Sequence, residues 1–353
     1  MNISQVHPRQ GAGRWLCTLM ICASLNGTGC HGAYLLSNGS AVVHSIATSI
    51  PIEQLYNDPD LSPEARSRLE TLPELLEYAR HRGLRVGGAY RRVESTERPA
   101  SWIVAAADPV TVTLHRWKFP IVGEVPYKGF RFREHAVREA KLLSDQGLIA
   151  EVLPVSAWSS LGWFPEPLPS SLLELAEHRF ATTVLHELVH RTIHISGESD
   201  LNEGLATFLG SRLAEEWLIS QHGEVAEILT RHRSRERDEM RLNQLLRELQ
   251  QQLQQGDLER EIARFRQQLA DQPWEQFSGQ ELAKSSWTLP RILLAKVYDP
   301  GRMPWSQLWL ESAEDVKVLG NRIRQEISGT WVGRPSLERY RRDVTEPDLQ
   351  RWP

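Results

Sequence analysis

The 353-residue sequence predicts an α+β, predominantly helical fold, with a small sheet ahead of a histidine-bearing helix and a long helical hairpin behind it. Three observations carry this. Runs rich in β-branched residues gather between positions 86 and 130. Apolar residues recur at three- and four-residue spacing along most of the chain beyond them. The polar stretch from Glu224 to Leu269 keeps that helical period up to a single turn signal, Gly256-Asp257.

Taken in order, Ile52 to Arg82 reads as helical, with Ser62 as N-cap, Pro63 in the first turn and Gly83 as the stop. Leu69, Leu72, Leu75 and Leu76 form its apolar stripe. Strands are expected at Trp102 to Ala106 and Val110 to Leu114, then around Phe119 to Gly123 and Tyr127 to Phe130. Glu134 to Gln146 reads as a helix closed by Gly147, Glu151 to Trp158 as a strand, and Pro165 to Pro169 as a loop. Helices follow at Leu172 to Ile195 and Leu201 to Leu218, then the hairpin, then helices at Trp287 to Tyr298 and Ser306 to Ile327. No internal repeat is visible. One domain is expected over residues 31–335, with an excursion at 224–270 and a tail at 336–353.

Hydrophobic residues make up 41% of the chain and charged residues 24%, enough for a sizeable core. The net charge of -4 and the lack of a dominant basic patch give no basis for a nucleic-acid partner. The three cysteines, Cys17, Cys22 and Cys30, all lie near the start, so neither a disulfide framework nor a cysteine nucleophile is expected in the main body. Residues 1–30 read as an export segment. Arg9 and Arg14 precede the apolar run Trp15 to Leu25, and small residues lead to Cys30. This resembles a lipoprotein cleavage site, with Gly27 where that motif usually has Leu. Export to the cell envelope or periplasm is expected, with a lipid on Cys30 as the membrane anchor.

The chemistry concentrates in His186-Glu187-Leu188-Val189-His190. Helical positions four apart share a face, so both imidazoles can address one ion, and Glu187 stands beside it. Neutral imidazoles suit Zn²⁺, and a carboxylate at that place can accept a proton from water and pass it to a leaving amine. Leu185, Leu188 and Val189 make the helix apolar elsewhere, so buried polar side chains on it need partners. A third ligand is required. The spacing H-E-x-x-H-x-x-G-x-x-H fails, because Ile193 and Ser196 occupy the last two motif positions. His194 lies four after His190 but about 80° round the helix from His186, which favours a supporting or substrate-facing role. Glu203 is the better candidate, in the first turn of the next helix, where Gly204 and Ala206 would allow close approach. Asp200 to Glu203 also reads as a capping box, which leaves a bland alternative for Glu203.

The two halves, His186-Glu187-Leu188-x-His190 and Asn202-Glu203-x-x-Ala206, resemble a bacterial predicted-aminopeptidase family of exported, often lipid-anchored, gluzincin-type zinc peptidases. Tyr90-Arg91, Trp117 to Gly123, Tyr127-Lys128-Gly129 and Ser159 to Phe164 resemble that family's other blocks. The resemblance implies a zincin-like fold, one Zn²⁺ held by His186, His190 and Glu203, Glu187 as general base, and a peptide as substrate. His194 stands where the family tends to have Tyr, and Gly204 where it tends to have Ser. A mechanism of this type needs an oxyanion donor, for which Tyr298 and His194 are the candidates. Leu161 to Phe164 is either a substrate-binding wall or an aromatic plug. The competing function is a non-catalytic envelope protein that keeps zinc as a staple and binds a partner through its polar helices.

Overall fold

A computed structural model describes residues 45–94, 101–119, 123–155, 165–299 and 305–327. The export segment with Cys30, the Leu161 to Phe164 segment and the tail at 336–353 lie outside the described residues. The architecture is α+β and mostly helical.

After a helical turn at residues 45–48, the described chain forms β1 (Ile50–Pro51), a single turn α1 (Ile52–Leu55) and the long helix α2 (Pro63–His81). Ser62 caps α2 by accepting the Ala65 N–H, and Gly83 leaves it at φ +89°. The predicted single helix over Ile52 to Arg82 is therefore two pieces. The stripe Leu69, Leu72, Leu75 and Leu76 is buried.

Next come β2 (Arg92–Glu94) and the central strand β3 (Ser101–Asp108). All of β3 from Ile103 to Ala107 is buried, because both faces of the sheet are covered. The expected strand at Val110 to Leu114 is mostly a turn. Asp108 Oδ1 accepts the N–H groups of Val110 and Thr111, Val112 adopts φ +52°, and only β4 (Thr113–Leu114) pairs with β3. A side chain that caps its own turn outcompetes β-propensity there.

The strands β5 (Trp117–Phe119) and β6 (Gly123–Val125) pair antiparallel, and β7 (Lys128–Phe130) joins one edge of β3. Helix α3 (Arg133–Ser144) leads to β8 (Ile149–Val155), which pairs antiparallel along β3 from Ser101 to Ala107. Val104 and Ala106 pack towards α3, with Ala136 and Leu143. Ile103 and Ala105 pack the other way, against Leu294 and Val297. A third small sheet has the order β1-β2-β9, in which β9 (Leu168–Pro169) runs parallel to β2.

The predicted helix over Leu172 to Ile195 also divides, into the turn α4 (Ser170–Leu173) and α5 (Glu177–Thr192). Helices α6 (Ser199–His222), α7 (Glu227–Gln252) and α8 (Leu258–Asp271) follow. The last two form the expected hairpin, and Asp257 caps α8 by accepting the Arg260 N–H. The chain then forms α9 (Gly279–Lys284), α10 (Leu289–Ala295), α11 (Trp305–Glu311) and α12 (Val316–Ile327). The predicted helix over Ser306 to Ile327 is split because Ala313 and Glu314 both take positive φ between α11 and α12. Helices α2, α5, α6, α11 and α12 share the largest apolar core, while α7, α8 and α10 enclose a second one beside β3.

Candidate metal centre

Helix α5 buries Phe180, Ala181, Val184, Leu185, Leu188 and Val189 in the main core. That phase leaves His186 and His190, one turn apart, on the opposite side. Helix α6 runs alongside, and Gly210 is what lets it come close. A Cβ there would stand 3.0 Å from the Cα of His186. Gly204, expected to serve this purpose, instead faces Trp305 and the Asp299 carbonyl.

The connection between α5 and α6 is held from two sides. Asn202 Oδ1 accepts the Ile195 N–H at 2.9 Å, and Asn202 Nδ2 donates to the Ile195 carbonyl at 2.8 Å. Gly123 packs backbone to backbone on the loop, and a Cβ there would lie 2.6 Å from Gly197 Cα. Glu198 is the N-cap of α6, and Asp200 pairs with Arg116 at 2.9 Å. The capping-box alternative for Glu203 therefore fails, and its carboxylate is directed elsewhere.

Three ligand-type atoms meet. The Nε2 atoms of His186 and His190 are 3.1 Å apart, and Glu203 Oε2 lies 3.5 Å from the first and 3.4 Å from the second. Among the described residues, this trio is the group of His, Cys, Asp or Glu side chains that could hold a metal ion. Burial by itself would raise the Glu203 carboxyl, but hydrogen bonds from His186 and His190, and their charge, outweigh it and hold it well below the usual carboxylate range. Burial by itself would lower the His190 imidazole, and Glu203 reverses that and raises it. The other Glu203 oxygen, Oε1, accepts the Tyr127 hydroxyl at 3.0 Å. Tyr127 is in turn hydrogen-bonded to Tyr298.

Glu187 is rotated about 100° from His186 on α5. Burial raises its carboxyl, and nearby Glu203 and Glu166 add to this against the opposing pull of the two histidines. Tyr90 borders the same region. Burial, then the charges of Glu187 and Glu166, push its phenol well above its ordinary value. Tyr90 holds φ +59° while donating its N–H to the Glu166 carbonyl at 2.9 Å. Such a conformation costs a non-glycine residue about 1–3 kcal/mol and gathers at functional sites. Glu166 and Arg191 form a buried ion pair behind it.

His194 is not on the helix. Ile193 is extended at φ -127°, so the helical projection used for His194 does not apply. Both its ring nitrogens are buried without a hydrogen-bond partner, and burial, then His190, lowers its basicity. Sequence reasoning missed Tyr127 as the support for Glu203, Asn202 as the loop clamp and Gly210 as the contact point. Each depends on a residue distant in the chain, and no spacing rule announces that.

No curated protein and no solved structure matches the chain. A family model described as "Putative aminopeptidase" matches residues 33–325, which include every residue of the site described above, and the chain belongs to that family.

Proposed function

We propose that this protein is an exported zinc peptidase of the gluzincin type with a zincin-like fold, and that it acts as an aminopeptidase. One observation carries the reading: His186, His190 and Glu203 present three ligand atoms 3.1–3.5 Å apart beside a carboxylate of raised basicity, Glu187. The spacing suits zinc. Tetrahedral bonds of about 2.0–2.1 Å put neighbouring ligand atoms roughly 3.3–3.4 Å apart. Two neutral imidazoles and one carboxylate would leave a fourth position for water and substrate. A bound zinc ion supplies a Lewis acid and lowers the pKa of a coordinated water to about 7.

The chain's own groups do the rest. Glu187, with its raised carboxyl, accepts the proton of the attacking water and returns it to the leaving amine. Tyr127 fixes one Glu203 oxygen so that the other stays turned to the histidines. Tyr298 and His194 are the two candidate donors to the developing oxyanion. Tyr298 is bonded to Tyr127 and feels the charges of Glu203 and Glu187. The one N–H of the neutral His194 ring, unpartnered in the fold, would gain a partner from a substrate carbonyl.

The family description supports the aminopeptidase label. Export and lipid attachment at Cys30 rest on the N-terminal pattern. No helix among the described residues is long and apolar enough to cross a membrane.

The test compares hydrolysis of peptides with free and blocked N-termini by wild type and Glu187→Gln, with metal content measured in both. One zinc per chain is expected, with cleavage of free-amine peptides lost in Glu187→Gln while zinc remains. A folded protein that binds no zinc would overturn the proposal. Bound zinc without turnover would favour the non-catalytic envelope protein.

A further inference from the structure

A second polar cluster lies along the same helix faces as the three ligands. Thr182 and Thr183 precede His186 by four and three residues and Thr207 follows Glu203 by four, so they lie on or beside the ligands' faces of α5 and α6, while Ser211, eight after Glu203, is turned about 80° from it. Helix α7 crosses these faces and brings in His232, Glu236 and Glu239. The result is a cleft lined by His178, Thr182, Thr183, Ser211 and Glu236, continuous through Ser211 and Glu236 with one that reaches Thr207.

Its polar atoms are mostly acceptors. Thr182 and Thr183 spend their hydroxyl protons on the His178 and Arg179 carbonyls, at 2.8 and 2.9 Å. Their remaining lone pairs can only accept. His178 is 9% exposed, and its ring makes no hydrogen bond within the described protein. Burial, then the charge of His232 and nearby arginines, pushes it down to about 4, so it is neutral at pH 7. Ser211 donates to Glu236. Glu236 has no Lys or Arg within ion-pairing distance among the described residues. Its nearest basic group is His232 at 3.8 Å, and burial lowers that imidazole's basicity too. Of the guanidinium groups that line it, Arg235 is paired with Glu239 at 2.9 Å, Arg212 with Glu215 at 3.1 Å, and Arg179 is exposed, where water screens it. A carboxylate with no direct ion-pair partner, set among hydroxyl and imidazole acceptors and feeling Arg212 and Arg233 only at longer range, is complementary to a small cation with several N–H donors.

We propose that this cleft is an ammonium subsite for the substrate, with Glu236 as the countercharge and His178, Thr182 and Thr183 as the acceptors that complete it. The proposal rests on the peptidase reading above and extends it. One to two helical turns separate the subsite from the ligands, roughly 5–11 Å at 5.4 Å per turn. An extended peptide covers that distance in about two to three residues at 3.3–3.6 Å each. The amine recognised is therefore a lysine side chain reaching back from near the scissile bond, or an α-ammonium two or three residues before it, in which case the product released is a di- or tripeptide rather than a single residue.

Calorimetric binding to zinc-loaded Glu187→Gln, with and without Glu236→Gln, tests this. The probes are tetra-alanine, N-acetyl-tetra-alanine and an N-acetylated tetrapeptide carrying one lysine. An amine-bearing probe is expected to bind at least about tenfold tighter than the blocked one, and Glu236→Gln should reduce the difference to within about twofold. The probe that shows the preference identifies the amine. Gln keeps the acceptor for Ser211, and circular dichroism confirms folding. Thr183→Val, which removes an acceptor from the opposite helix, should also weaken the preference. Equal binding of amine-bearing and blocked probes, no measurable binding of any probe, or a preference that survives Glu236→Gln overturns the subsite. Preference without hydrolysis by wild type would overturn the peptidase reading alone, and hydrolysis without preference the subsite alone.

Discussion

Replacing Tyr127 with Phe removes one hydroxyl and nothing else from the neighbourhood of the candidate metal centre. That hydroxyl donates to Glu203 Oε1 at 3.0 Å, while Glu203 Oε2 faces both histidines. Glu203 is 8% exposed, so water does not readily take the donor's place. A hydrogen bond to a charged group contributes about 1.5–3 kcal/mol. At about 1.4 kcal/mol per tenfold, this corresponds to a 10- to 100-fold weaker zinc complex. Loss of a group that orients a ligand generally costs metal affinity in the same range. The assay is a competition titration against a chromophoric chelator, paired with thermal melts of the metal-free and zinc-loaded forms. Tenfold weaker binding lowers the zinc-induced stabilisation by about 1.4 kcal/mol at fixed excess metal. A purely structural effect would instead lower both melts equally. A zinc dissociation constant within about twofold of wild type, in a protein that melts normally, would refute the role assigned to Tyr127.

Three further outcomes follow from the same geometry. Gly210→Ala places a Cβ 3.0 Å from His186 Cα and should cost about 1–3 kcal/mol in thermal unfolding, with weaker zinc binding as α5 and α6 separate. Asp238, fully buried, accepts the N–H groups of Glu275, Gln276 and Phe277, and Asp238→Ala should cost at least about 3 kcal/mol in denaturant unfolding by stranding those donors. His178 is held to about 4 in the folded protein against an ordinary 6.5, so the unfolded chain binds its proton first. Its neutral form stabilises the fold fully above pH 6.5, and this is lost as pH falls from 6.5 towards 4, on the order of 1–3 kcal/mol. The pH dependence of the melting temperature should flatten over that interval in His178→Gln.

Much of the fold was legible in the sequence because local rules govern it. Ser62, Pro63 and Gly83 bound a helix through capping and φ preferences that act within a few residues. The hairpin of α7 and α8, with its turn at Asp257, follows from apolar period and a side-chain cap. Where a local interaction competed with propensity, the reading failed. Asp108 folds Val110 to Val112 into a turn, and the break after Leu173 divides what the apolar pattern presents as one helix.

For the site, the sequence by itself determined the residue types and half the geometry. A four-residue separation on a helix puts His186 and His190 on one face whatever surrounds them. Glu203 was open between ligand and cap, and only tertiary contacts turn its carboxylate towards the imidazoles. Asn202 clamps Ile195, Gly123 seats on Gly197, Arg116 engages Asp200, and Gly210 lets α6 lie against His186. These contacts set the phase and separation of two helices, and a shift of about 1 Å in either would move Oε2 out of reach of the imidazoles. The support from Tyr127 and the cleft under α7 belong to the same class. They arise where distant segments meet, and the physics that places them is packing, which no short window of sequence contains.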